Sequence, residues 1–330
     1  MELAFNEWVH VSDASSVGAA RRFALTMAQR LGFDETRSGQ LALLATEASR
    51  NVLIHGGGGQ VILSGLKESG TPMARILAID KGAGITNIAQ AMSDGFSTAG
   101  TMGGGLGAMK RIADTLEIFT GRGGTIVLIE LGLAPARENL RLAGLAVAFP
   151  GERVCGDDWC WHSSPDRTLA LIADGLGHGW EAAEAAKEAV ATFRQRVDLP
   201  VAEILRCIHD ALRKTRGAVA AIVEIRPKEQ SLIYAGVGNI SAVLHGAGTS
   251  RSLVSHNGTL GHTTSKFQEF KSDWPPDAVL VLHSDGLHSK WDLFSYSGLI
   301  AKHPAVIGGA LIRDFRRQRD DASVVVVKAA

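Results

Sequence analysis

The sequence predicts a two-domain α/β protein, and three observations carry that expectation. Its 330 residues are about twice the ~150 of a common single domain. Its 38 glycines are clustered, with groups at 56–59, 82 and 84, 103–107 and 121–124, all before residue 125. From Gly175 onward glycine stands beside acids instead. Helical and strand-like apolar patterns alternate through both parts, interrupted by the polar, proline-containing stretch LAPAREN at 133–139. A boundary is expected there, giving domains 1–134 and 135–330.

The elements follow in order. A strand near the start precedes a helix over 16–31 and a second helix over 35–54. Strands cover 60–66 and 74–80, and a helix over 106–115 follows the third glycine group. Strands at 116–120 and 125–131 meet across Gly121-Arg-Gly-Gly124, which reads as a hairpin. In the second part, segments near 142–149, 168–173, 218–225, 231–236, 278–283 and 323–328 are β-branched or alternating. Helices are expected near 180–197, 201–214 and 304–317.

Composition excludes several classes. Lys+Arg and Asp+Glu both number 34, so the charge cancels and no broad basic face exists for nucleic acid. Charged residues at 21% without low-complexity blocks argue for a folded chain. The start, MELAFNEWVH, lacks the basic region of a signal peptide. The apolar run at 142–149 is far short of the ~20 residues that span a bilayer. Cys155, Cys160 and Cys207 form no C-x-x-C and are read as reduced, buried thiols. The expected location is cytoplasmic, with no membrane or nucleic-acid partner.

Chemistry-bearing residues concentrate in two constellations. In the first, Glu47 and Asn51 lie four apart on a helix and project from one face, and His55 continues the stripe. Asp80-Lys-Gly-Ala-Gly84 directly follows a strand, and Gly103-Gly-Gly-Leu-Gly107 opens a helix. A carboxylate after a strand can accept from an adenine amino group, and glycine lets backbone approach a ligand. Backbone N–H groups at a helix start suit phosphates. An Asn can hold Mg²⁺ while a nearby Glu deprotonates a nucleophile. A Walker P-loop and a Rossmann fingerprint are absent.

The runs ATEASRN at 45–51 and GGGLGAMKRIAD at 103–114 resemble the nucleotide-binding boxes of the GHKL (Bergerat-fold) ATPases, in the RsbT-like and anti-sigma-factor serine-kinase branch. The resemblance covers about residues 5–133. It implies an α/β sandwich with helices on one face of a mixed sheet, binding ATP with Mg²⁺. Asn51 would sit at the metal, and Asp80, Gly82, Gly84 and Thr125 at the nucleotide. Gly103, Gly104, Gly105, Leu106 and Gly107 would surround the phosphates. Glu47 would be the base toward a protein serine, and 87–102 the ATP lid. The glycine run 56–59 is longer than the resemblance leads one to expect.

The second constellation is four acidic motifs at strand boundaries: Gly156-Asp157-Asp158, Asp174-Gly-Leu-Gly-His-Gly179, Ser284-Asp285-Gly286 and Asp320-Asp321-Ala322. Such carboxylates converge when their strands pair, and hard divalent ions take oxygen ligands of this kind. Two ions can activate a bridging water for attack on a phosphoester. In this order the motifs resemble the metal-dependent (PPM-type) serine/threonine phosphatases of the SpoIIE/RsbU/RsbX branch, over about 140–330. The resemblance implies an α-β-β-α four-layer sandwich with two Mn²⁺ or Mg²⁺. Their ligands would be Asp157, Asp174, Asp285, Asp320 and the carbonyl of Gly175. Asp321 is left open, as is His178, between positioning phosphate and capping the loop.

Trp159, Trp161, Trp180, Trp274 and Trp291 are read as packing, and Arg313–Arg319 as a solvated face. Together the two resemblances imply a bifunctional enzyme that phosphorylates and dephosphorylates a STAS-domain protein, an anti-sigma-factor antagonist or stressosome component. The alternative is a phosphatase whose first domain only binds ATP, gating activity or sequestering a partner. A homodimer is compatible with either.

Overall fold

The computed structural model describes residues 2–68, 71–92, 105–121, 123–132, 140–264 and 266–329. Packing divides the chain into two units: Met1–Ala136 with Ala301–Asp314, and Arg137–Ile300 with Phe315–Ala330. A single boundary at residue 134 does not anticipate the excursion of 301–314 into the first unit.

In chain order the elements are β1 (Glu2–Val11), α1 (Ala14–Leu31), α2 (Glu35–Gly56), β2 (Gly59–Glu68), β3 (Thr71–Asp80), α3 (Ile88–Ala91), α4 (Gly105–Ile112), β4 (Thr115–Gly121) and β5 (Gly124–Leu131). The second half supplies β6 (Leu140–Val147), β7 (Asp157–Ser163), β8 (Thr168–Gly175), α5 (Trp180–Gln195), α6 (Val201–Ala211), β9 (Ala218–Arg226) and β10 (Ser231–Val237). There follow β11 (Ser241–Gly246), β12 (Thr249–Leu253), β13 (Phe270–Asp273), β14 (Val279–His283), α7 (Pro304–Phe315) and β15 (Ala322–Ala329).

Helix ends in the first unit are set by capping. Asp13 accepts from the Ser16 N–H at 2.9 Å while Ser16 Oγ accepts from the Asp13 N–H at 3.3 Å, a reciprocal box that starts α1 two residues before Ser16. Asp34 caps α2 through the Arg37 N–H at 2.7 Å, and Gly57 ends it at φ 68°. The sheet order is β1-β2-β3-β5-β4. Every neighbouring pair is antiparallel, which corrects the mixed sheet expected from the resemblance. The reason is the β4–β5 hairpin, which inserts β5 between β3 and β4, so those two like-directed strands never pair.

Alternation along the strands gives this sheet two buried faces. Ala74, Ile76 and Ala78 of β3 with Val127 and Ile129 of β5 meet Leu41, Leu44, Ala45, Ala48 and Val52 of α2. The opposite face presents Met73, Arg75, Leu77 and Ile79 with Ile126, Leu128 and Glu130, all buried. Helix α7 lies on it. A Cβ on Gly309 would stand 3.0 Å from Leu77 Cδ2, 3.4 Å from Ile79 Cδ1 and 3.6 Å from Ile126 Cγ2. The His303 N–H donates to Glu117 Oε1 at 2.7 Å.

The second unit pairs two antiparallel sheets, β13-β10-β9-β8-β7 and β12-β11-β14-β15-β6. Ala185, Ala189 and Phe193 of α5 and Ile204, Leu205 and Ile208 of α6 cover the first sheet at Leu169, Leu171, Ala220 and Ile222. The sheets stack closely where Gly144 lies under Trp159; a Cβ there would come within 2.2 Å of the ring. Helices, sheet and sheet are three of the four layers expected; α7, which the chain supplies between β14 and β15, packs with the first unit instead.

Candidate functional site

In the first unit Glu47 and Asn51 occupy successive turns of α2, both half-buried, with Glu47 Oε1 3.7 Å from Arg50 Nη1. Asp80 closes β3 beside the end of that helix. Its Oδ1 accepts from the N–H groups of Gly82 at 2.8 Å and Thr125 at 3.0 Å, which fixes the carboxylate. Thr120 Oγ1 links Thr125 Oγ1 at 3.1 Å and the Ile85 N–H at 2.8 Å. The long glycine run has a physical account here. A Cβ on Gly56 would fall 2.4 Å from that of Asp80, and one on Gly59 2.3 Å from the Ile79 carbonyl oxygen. Gly84, at φ 79°, passes against Gly121. Gly105, Leu106 and Gly107 form the first turn of α4, with Leu106 in the core. Gly103, Gly104 and the lid positions 93–102 lie outside the described residues.

In the second unit strand pairing brings the acids together. Asp157 begins β7 opposite Asp174 near the end of β8. Asp285 follows β14 and Asp320 precedes β15, and those strands also pair. Asp174, Asp285 and Asp320 line one cavity of about 420 Å³ with Asn239, whose side-chain N–H donates to Asp285 Oδ2 at 2.8 Å. Asp157 does not line it. It is buried behind, accepting from Ser323 Oγ at 2.7 Å. Gly286 passes so close to the Asp321 carbonyl that a Cβ would overlap it at 1.8 Å, which is why Asp285 is followed by glycine. Gly175 is buried, and its N–H donates to the Gly156 carbonyl at 3.1 Å.

Asp321 faces away, its Oδ1 accepting from the Phe149 N–H at 2.7 Å. His178 is held by Glu152, Nδ1 to Oε1 2.9 Å, and stacks on Phe149 at 4.7 Å. Trp180 is 69% exposed, which corrects its reading as packing. Arg313 is buried and paired with Asp314, so the solvated-face reading fails there too. Ser323 and Asn239 were not singled out by the sequence; Ser323 closely follows Asp320-Asp321, whereas Asn239 is far along the chain from every acid that was.

Burial, then Asp157, Asp285, Asp320 and Asp321, push the Asp174 carboxyl up to about 9. Burial pushes Asp157 up to about 7 against hydrogen bonds from Ser284 and Ser323. Five carboxyls thus crowd one another, a donor set that suits a hard divalent ion. Among the described residues no three His, Cys, Asp or Glu side chains are yet arranged to hold one.

Residues 164–330, just over half of the chain, match the family described as Stage II sporulation protein E (SpoIIE). The chain belongs to the SpoIIE family. Residues 11–131 match the histidine kinase-like ATPase domain. The serine/threonine-protein kinase RsbT of Bacillus subtilis (strain 168) is 32% identical over 124 residues, 37% of this chain and 93% of RsbT. The phosphoserine phosphatase RsbX of the same organism is 27% identical over 142 residues, 42% of this chain and 70% of RsbX. A solved structure from work on the bacterial stressosome, as a modular system adapted to control secondary messenger signaling, aligns with TM-score 0.55 and 26% identity, covering 57% of this chain and 99% of its own. This SpoIIE-family protein therefore joins a kinase-like ATPase domain to a serine/threonine phosphatase domain, types that imply use of ATP and of a divalent metal. No helix among its described residues is long and apolar enough to cross a membrane.

Proposed function

We propose that this SpoIIE-family protein is a cytoplasmic, bifunctional regulator that adds phosphate to, and removes it from, a serine or threonine of a STAS-domain partner in partner switching or a stressosome. The observation that carries the reading is the meeting of Asp174, Asp285 and Asp320 around one cavity with Asp157 behind, in a chain whose other unit fixes Asp80 next to α2. Asp157, Asp174, the Gly175 carbonyl, Asp285 and Asp320 would hold two Mn²⁺ or Mg²⁺. When bound, such ions lower the pKa of a shared water and offset phosphoryl charge. Asn239 orients Asp285, and Ser323 orients Asp157.

In the first unit Asp80 would accept from the adenine amino group through Oδ2, since Oδ1 is occupied by two backbone donors. Asn51 would hold the Mg²⁺ of ATP, Gly82, Gly84 and Thr125 would frame the base, and the glycines 103–107 the phosphates. Glu47 would take the proton from the attacking hydroxyl.

The test uses the Asp174→Asn protein, whose phosphatase is silenced, with Mg-ATP and a STAS-domain protein from the same genome. Intact mass should show one added phosphate, abolished by adding Glu47→Ala. ATP binding without any mass gain, across several STAS candidates, would leave the phosphatase and remove the kinase.

A further inference from the structure

Helix α7 touches the first unit at the strand ends that carry its nucleotide-site residues. Ile79 and Asp80 are consecutive in β3 and so point to opposite faces. Asp80 turns toward Gly56 of α2, while Ile79 meets Gly309 of α7. Thr125 and Ile126 repeat the arrangement in β5: the Thr125 N–H donates to Asp80 Oδ1, and Ile126 also meets Gly309. One turn further on, Arg313 Nη2 lies 3.0 Å from where a Cβ of Gly123 would be, in the β4–β5 hairpin. Any shift that a ligand imposes on Asp80 and Thr125 therefore arrives at α7 one residue away, across a single sheet.

Gly308 and Gly309 are adjacent in the middle of α7, where glycine is a poor helix former. Gly309 lets the helix backbone pack tightly on Leu77, Ile79 and Ile126, so a displacement of those strand positions is transmitted to α7.

In the chain, α7 connects β14 to β15, and therefore Asp285 to Asp320. Asp320 is five residues beyond the end of α7. The connecting residues are pinned to the phosphatase motifs within the second unit. The Arg317 N–H donates to the Gly286 carbonyl at 2.8 Å, and the His288 N–H to the Phe315 carbonyl at 2.9 Å. Arg316 Nη2 donates to the Ala148 carbonyl at 2.6 Å.

We propose that α7 is a coupling helix: occupancy of the nucleotide site resets its seat on the first unit's sheet and thereby sets the phosphatase rate. The proposal rests on the ATP-binding reading above and is independent of phosphotransfer. By linkage, whatever factor ATP occupancy applies to ligand affinity at the phosphatase site, occupancy of that site applies to ATP affinity.

The test uses the full chain with Mn²⁺ and p-nitrophenyl phosphate, with and without the β,γ-imido analogue of ATP, whose binding is followed separately by calorimetry. The phosphatase rate should change about fivefold or more on analogue binding, the usual lower range of coupling. Hydrogen exchange over 304–315 should change with it. Gly309→Leu should keep analogue binding and basal phosphatase but lose the response. Should that variant fold poorly, the exchange measurement on the unaltered protein decides. Analogue binding that leaves both rate and exchange unchanged overturns the proposal, as does a Gly309→Leu protein that folds and responds like the original. Absence of any analogue binding instead removes the ATP-binding reading, and the proposal falls with it.

Discussion

The Asp174 carboxyl is pushed up to about 9 because burial and four neighbouring acids oppose its ionisation. Between the ordinary carboxylate value of 3.8 and that point, the folded chain keeps a proton that the unfolded chain has released. Stability of the metal-free protein should therefore fall as pH rises through this window, and added Mn²⁺ should restore it most at the alkaline end. Metal binding must also expel the proton. Calorimetry at pH 7 in buffers of different ionisation enthalpy should show proton release, and identical heats in all buffers would contradict this account. Gly56 makes a second case. An alanine there would press on Asp80 at 2.4 Å, so Gly56→Ala should weaken ATP binding roughly tenfold or more by displacing a charge-assisted acceptor. Equilibrium binding of a fluorescent ATP analogue would check it. At this scale the acids were legible because Asp-Gly pairs and strand ends mark them. Ser323 and Asn239 were not, since a hydroxyl or amide acquires its role only when another strand arrives beside it.

Arg75 and Glu130 face each other across β3 and β5 with Nε and Nη2 both 2.8 Å from Oε1, on the face where α7 lies. Burial alone would raise the Glu130 carboxyl, but Arg75 and His303 more than offset it and hold it below the usual range. The pair's contribution is thus present above the ordinary carboxylate value and lost as pH falls through the lowered one. Removing one partner leaves an uncompensated buried charge, so Glu130→Gln should cost about 3–5 kcal/mol in urea unfolding. A cost below about 1 kcal/mol would show the pair to be water-screened. Elements with a strong period were legible: α1, α2, α5, β3, β5 and β15 fall close to their expected ranges. β7 was missed because Asp157-Asp158 reads as a turn, though Trp159 and Trp161 alternate beyond it. β12 and β13 were missed because exposed strands such as TSRSL carry no apolar face, and only pairing with β11 and β10 makes them strands.

The chain passes between its two units three times: after Ala136, after Ile300 and after Asp314. Sequence read as a line suggests one seam. The second and third crossings were invisible because an apolar helix such as PAVIGGALI declares that it is buried without declaring against what. A protease site engineered between residues 136 and 137 should therefore give two fragments that stay together through gel filtration, since the larger one carries α7. Separation of the fragments under native conditions would show that α7 does not hold the first unit.

The same crossing bears on how such a gene could ever come apart. Domains strung end to end can be divided by one break in the DNA, each piece keeping a whole fold. Here a break at codon 136 sends the cover of the first sheet, Gly309 included, away with the other product. Separating the two domains at that point would leave the face of the first sheet at Leu77, Ile79 and Ile126 in need of another cover.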